Sequence, residues 1–462
     1  MQDRILFFLI LLSSILACPN QAWAQQDLGL HFMQGTWQAR YTNPAFVPDH
    51  RVVLSLPGFY NHFRSPEFSY RDIVQTNAQG QAFLDLDAAI DGFAPRNVVQ
   101  EQADLPTFGL GIAINKVYIE LGHSFHFLSH VDFPKTLAQL AWQGNAVFIG
   151  ETVELAPTFQ LQAYHSTYLG LSSEVSEGIR IGGRMRYLSG IGDISSAGGR
   201  LRLTTDEEIY QSTLDANYTV NSTGALTYNG LTDVGFSIND GVFEVGQLFA
   251  ENYGLAFDFG ISYQLEKWGF HISALDLGNI TWRRNPDNTQ LNGSFEYGGL
   301  DILEDVLLED VTKISIADSL DAIYEVQSSE GEYSTSIPRK YYLSTTYQTN
   351  EWLQVGALMY FEGFKGEVYT SFALSGNAQV SHFFSAGLLY AYTPEVPFKV
   401  GLNSAIRLGP LQAVFATDNL FTAFNPEDSK GSNFRLGINL VFAQLKNQKP
   451  GKTKLDERDF FR

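Results

Sequence analysis

The feature that most constrains this chain is a strict two-residue alternation, carried over runs of ten residues and more. In "SNFRLGINLVF" (432–442), Phe434, Leu436, Ile438, Leu440 and Phe442 fall on one face, and Asn433, Arg435, Gly437 and Asn439 on the other. "GEVYTSFALSG" (366–376) sets Val368, Thr370, Phe372 and Leu374 against Glu367, Tyr369, Ser371 and Ser375. "NKVYIELGHSFHF" (115–127) behaves alike, with Tyr118, Glu120, Gly122 and Ser124 on its polar face. Successive side chains of a strand point to opposite faces, so each run has one apolar and one polar side. Further runs lie near 158–171, 178–188, 200–205, 208–220, 252–264, 268–282, 338–348, 351–362, 379–392, 396–408 and 410–418. Strands of soluble sandwiches are about five or six residues long, whereas a tilted strand crossing an outer membrane needs roughly 9–11. Aromatic residues, 14% of the chain, suit the girdles of such a barrel. The pattern predicts an all-β fold: one antiparallel transmembrane β-barrel of 14–16 strands, the higher number requiring a strand near 64–74.

Connections of alternating length give the barrel its sides. "LEKWG" (265–269), "QTNEW" (348–352), "SGNA" (375–378) and "LGP" (408–410) read as short turns. Long connections fall at 131–157, 221–251, 283–337 and 419–431. Outer-membrane barrels carry short periplasmic turns and longer outside loops. "PKTLAQLAWQG" (134–144) and the weaker 84–99 read as loop helices, and 301–326 as an acidic, helix-containing loop.

The first residues direct export. "ILFFLILLSSIL" (5–16) behind Arg4, with "AWA" at 22–24, fits a signal peptide over residues 1–24. "ILAC" (15–18) offers lipidation at Cys18 as an alternative. No other stretch holds 18 continuous apolar residues, so no helical span is expected. The expected organisation is an N-terminal segment over 25–60, a barrel over 61–445 and a basic tail over 446–462. The expected location is the cell outer membrane, with its lipid as partner. A net charge of −20 argues against nucleic acid.

Few constellations suggest chemistry. His123, His126 and His130 would share a helix face. On a strand, His123 points away from the other two, so no metal site is expected. There is no nucleophile elbow, so neither an enzyme nor a cofactor is expected. Arginines stand out more. In "IRIGGRMRYL" (179–188), Arg180, Arg184 and Arg186 share the polar face, and Arg200 and Arg202 do so in "RLRLT" (200–204). Alternation places all five inward, with Asp215 beside them and Asp258 further round. Two readings stand: an internal salt-bridge ladder, or a cationic patch that lines a pore or holds an anionic head group.

"ARYTNPAFVP" (39–48), "SALDLGNITWRRNP" (273–286), "IPRKYYLSTTYQ" (337–348) and "FATDNLFTAFNPEDSKGSNFRLGINLVF" (415–442) resemble an uncharacterised outer-membrane barrel family of the Bacteroidota. Asn43, Pro44 and Ala45 ahead of the barrel more distantly resemble the FadL-type transporters of hydrophobic compounds, whose N-terminus plugs the barrel. That resemblance implies a plug over 25–60 and a passive transporter or channel for small hydrophobic or amphiphilic molecules, with a hydrophobic or anionic amphiphilic ligand. Asn43 before Pro44 is biased to extended geometry, and its side chain can cap the next turn. An ordinary periplasmic lead-in is the alternative for the segment. For the whole chain it is a non-transporting surface, secretion-accessory or gliding-accessory barrel acting through its extracellular loops.

Overall fold

The computed structural model describes residues 27–77, 79–208, 210–224, 226–228, 234–236, 248–249, 251–297, 327–393 and 398–445. The signal segment, the acidic stretch 301–326 and the basic tail lie outside the described residues.

Fourteen antiparallel strands close into one barrel. Strand β1 has two halves, His50–Ser55 and Phe59–Arg64. Then come β2 (Arg96–Ile114), β3 (Val117–Pro134), β4 (Thr158–Ser176), β5 (Ile179–Thr205), β6 (Tyr253–Leu265) and β7 (Trp268–Trp282). The second half comprises β8 (Arg339–Gln348), β9 (Leu353–Phe364), β10 (Glu367–Ser381), β11 (Phe384–Tyr392), β12 (Lys399–Leu408), β13 (Leu411–Thr417) and β14 (Gly431–Gln444). Both halves of β1 pair with β2 on one side and β14 on the other, so the wall has no free edge.

Alternation sets the faces. On β14, Leu436, Ile438 and Phe442 point outward, while Asn433, Arg435 and Asn439 are buried inside. On β10, Val368, Phe372 and Leu374 are exposed, and Tyr369, Ser371 and Ser375 are buried. Leu121, Leu171, Ile181, Phe259, Ile272 and Ile406 continue the outer apolar belt around the wall. An aqueous protein would not present such a belt, but the side chains match hydrocarbon. Ile438→Arg is therefore expected to cost about 2–4 kcal/mol in folding into lipid vesicles, measured by denaturant titration. A cost under about 0.5 kcal/mol, typical of neutral surface sites, would show that this belt does not meet lipid.

Three expectations change. First, residues 64–74 add no wall strand. After β1 ends at Arg64, the chain forms a short helix at Tyr70–Ile73. The first wall strand begins at His50, so the N-terminal segment inside the barrel ends near Asp49 rather than residue 60. Second, Ser375–Ala378 lies within β10, and the turn falls at His382–Phe383. Ser375 is buried on the lumen face, so a small polar residue there belongs to the inner wall and only imitates turn composition. Third, 200–205 is no separate strand, because β5 runs continuously to Thr205. Its first part pairs with β6 up to Ser189. From Gly192 onward it pairs instead with Ser212–Gly224, which in turn pairs with Asp287–Tyr297. A ribbon thus stands beyond the wall on the side of the long connections. The loop helix expected at 134–144 is present as Lys135–Gln143.

Candidate functional site

Residues 27–49 lie inside the barrel, folded into one short helical turn (Leu28–His31) and a 3-10 turn (Gln38–Tyr41). Segments this short are not stable helices alone, so their conformation depends on the wall. The side chain of Asn43 shows how. Its Oδ1 accepts from Ala45 N–H at 2.8 Å, closing the turn around Pro44. Its Nδ2 donates to the carbonyls of Ile261 (3.4 Å) and Ile272 (3.3 Å) on β6 and β7. Gly182 and Gly260 let the wall approach so closely, since a Cβ at either would collide with Pro44 or Asn43. Gln38 and Asn439 exchange two amide hydrogen bonds of 2.9 Å each. Asp418 accepts from the N–H groups of Leu28 (3.0 Å) and Gly29 (2.8 Å).

Buried ion pairs add to these contacts. Glu120 on β3 accepts from Arg40 at 2.7 Å and from Arg184 on β5 at 3.0 Å. Arg184 also reaches Asp258 at 3.0 Å and donates to the carbonyl of Arg40 at 3.1 Å. Arg186 bonds Asp258 at 2.8 Å and lies 3.7 Å from Asp276, which lies 3.5 Å from Lys340. Arg435 grips Asp27 with two bonds, 2.9 and 2.6 Å, and lies 3.9 Å from Asp104. Asp104 in turn bonds His126 at 2.7 Å. Arg40, Arg184, Arg186, Lys340 and Arg435 thus meet Asp27, Asp104, Glu120, Asp258 and Asp276. Five cations face five carboxylates, so the interior cluster is close to neutral.

A bulge supplies one of those carboxylates. Between Phe257 and Phe259 the pairing of β6 with β7 shifts by one residue. Asp276 takes φ 59°, an uncommon conformation for a non-glycine residue. Its N–H donates to Asp258 at 2.8 Å. An extra residue re-aims the side chain, here turning Asp276 toward Arg186 and Lys340.

The expected five-arginine patch divides. Arg184 and Arg186 converge with Asp258. Arg180 sits at the short-turn end, 4.0 Å from Glu174, with its guanidinium on the carbonyl of Lys116. Arg200 and Arg202 lie on the ribbon, where Arg202 pairs with Glu154 at 3.0 Å and is level with Asp215. Fourteen residues separate Arg186 from Arg200, roughly 45 Å along an extended strand. Shared parity therefore did not mean shared height. Glu120, Asp276, Lys340, Arg40 and Asp27 are functional candidates that the sequence reading missed. Glu120 was visible on a polar face, and Asp276 interrupts the alternation in "ALDLG", but their partners come from distant strands.

Two cavities flank the segment. One of about 40 Å³, lined by Asp27, Asp104, His126, Arg186, Lys340 and Arg435 among others, has room for a water or two. The other, of about 520 Å³, lies at the short-turn mouth beneath Phe32–Thr36. His123 bonds Thr107 at 2.7 Å, away from Asp104 and His126, and His130 packs on Phe364. Among the described residues, no group of three or more His, Cys, Asp or Glu is placed to hold a metal ion. None of their helices is long and apolar enough to cross a membrane.

A closed wall with an apolar outer belt and an occupied polar interior defines a transmembrane β-barrel with an internal N-terminal segment. Residues 44–418 match the model of a family of unknown function, DUF5723, and the chain belongs to that family. No curated protein matches it. Solved structures to which it is similar include a FadL homologue of Pseudomonas aeruginosa, with 11% identity, 88% of this chain and 94% of that chain covered, and a TM-score of 0.38. The toluene transporter TodX of P. putida has 9% identity, coverage of 88% and 94%, and a TM-score of 0.36. The translocator domain of the autotransporter NalP of Neisseria meningitidis has 5% identity, coverage of 85% and 88%, and a TM-score of 0.30.

Proposed function

We propose that this chain is an outer-membrane barrel that passes small molecules through a lumen gated by residues 27–49. The observation that carries this reading is the segment's position between the two cavities, held by polar contacts to several strands. Hydrogen bonds and ion pairs can be exchanged for water when such a segment shifts, whereas a wholly apolar seat would resist hydration. Small amphiphilic molecules are the favoured cargo, because both cavities combine polar groups with aromatic rings. Arg184 and Arg186 then act through Glu120 and Asp258 to seat the gate, rather than as an anion trap. No enzymatic step enters this reading. The ribbon beyond the wall favours a second reading, a surface or secretion-accessory barrel that acts through its outer loops.

Asp27→Asn with Arg435→Gln removes one anchor and preserves charge balance. In a diderm host, uptake of an amphiphilic dye excluded by the outer membrane should rise several-fold over wild type, while heat-modifiable gel migration persists. Unchanged uptake alongside increased protease access to residues 27–49 would contradict gating and favour the loop-based reading.

A further inference from the structure

We infer that the cavity at the short-turn mouth is a binding site for an uncharged polyhydroxylated ligand of about disaccharide size. Its volume of about 520 Å³ lies in the usual range for small-molecule sites, about 300–1,000 Å³. Its walls are rich in primary amides, several held at one end and open at the other. Gln348 Nε2 donates to the carbonyl of Asn350 at 2.7 Å, and Gln379 Nε2 to that of Ser381 at 2.6 Å. Gln412 uses its oxygen on Asn439 at 3.0 Å, which leaves its amino group to donate. Two anchored acceptors and one donor suit hydroxyl groups, which both give and accept hydrogen bonds.

Trp352 and Phe383 border the same space, 55% and 47% exposed, and offer faces for the C–H side of a pyranose ring. The chemistry disfavours anions and extended peptides. Arg407 already donates to His50 (2.9 Å), Gln444 (3.2 Å) and the carbonyl of His382 (3.1 Å), and the carboxylates of Asp49 and Glu351 border the same space, so a carboxylate or phosphate meets a poor site. An extended peptide binds by adding to a strand edge, and this closed wall has none. The site is complete with residues 27–49 seated, so it does not depend on gating.

The test uses the full chain in an amine-oxide detergent, which carries no sugar, with chitobiose and maltose as probes. Saturation-transfer NMR should show saturable binding of at least one. Trp352→Ala and, separately, Gln379→Ala should weaken it about tenfold with heat-modifiable migration retained. No saturable binding of either sugar up to about 20 mM would overturn the assignment. So would wild-type affinity retained in both variants, or binding of triglycine in place of both sugars.

Discussion

Glu120→Gln is expected to lower the stability of the barrel by about 3–5 kcal/mol, the usual cost of removing one partner from a buried ion pair. Glu120 is fully buried and bonds two guanidinium groups, from the interior segment and from the wall. After the change, Arg184 keeps Asp258. Arg40 keeps only the carbonyl of Phe46 and the face of Tyr118, 4.5 Å from its guanidinium. The loss should therefore belong mainly to Arg40. Glu120→Gln combined with Arg40→Gln should recover a large part of it, because the stranded charge is gone. Denaturant titration in lipid vesicles would measure both variants, and a coupling energy near zero between the two sites would mean that the pair does not hold the segment.

The wall was legible in the sequence because lipid outside and polar groups inside impose one rule on every strand. Ile438 and Asn439, or Phe372 and Ser371, could be assigned to faces from alternation alone. Most short turns were legible for a related reason. Glu266 at φ 51° and Gly409 at φ 62° sit where a tight reversal needs left-handed backbone. Height and partnership were not legible. Arg200 has the parity of Arg186, yet β5 carries it past the last residue that pairs with β6. Nor does any local pattern connect Arg40 to Glu120, eighty positions away, or Asp27 to Arg435 across nearly the whole chain. The Asn-Pro-Ala turn was readable as a turn. Its seat on Gly182 and Gly260 depends on two strands arriving beside it.

Closure of the lumen by residues 27–49 is tested most directly by single-channel conductance in planar bilayers. Deletion of residues 28–48 removes Gln38, Arg40 and Asn43 together, and with them the contacts to Asn439, Glu120, Ile261 and Ile272. The strands beyond His50 are untouched, so the barrel should still insert and migrate in a heat-modifiable way. With its interior segment gone, a barrel this wide has too few side chains to fill its bore, and water should enter. Discrete open steps, several-fold larger than any in the full chain, are the predicted result. A deleted barrel that inserts but conducts no more than the full chain would contradict the account.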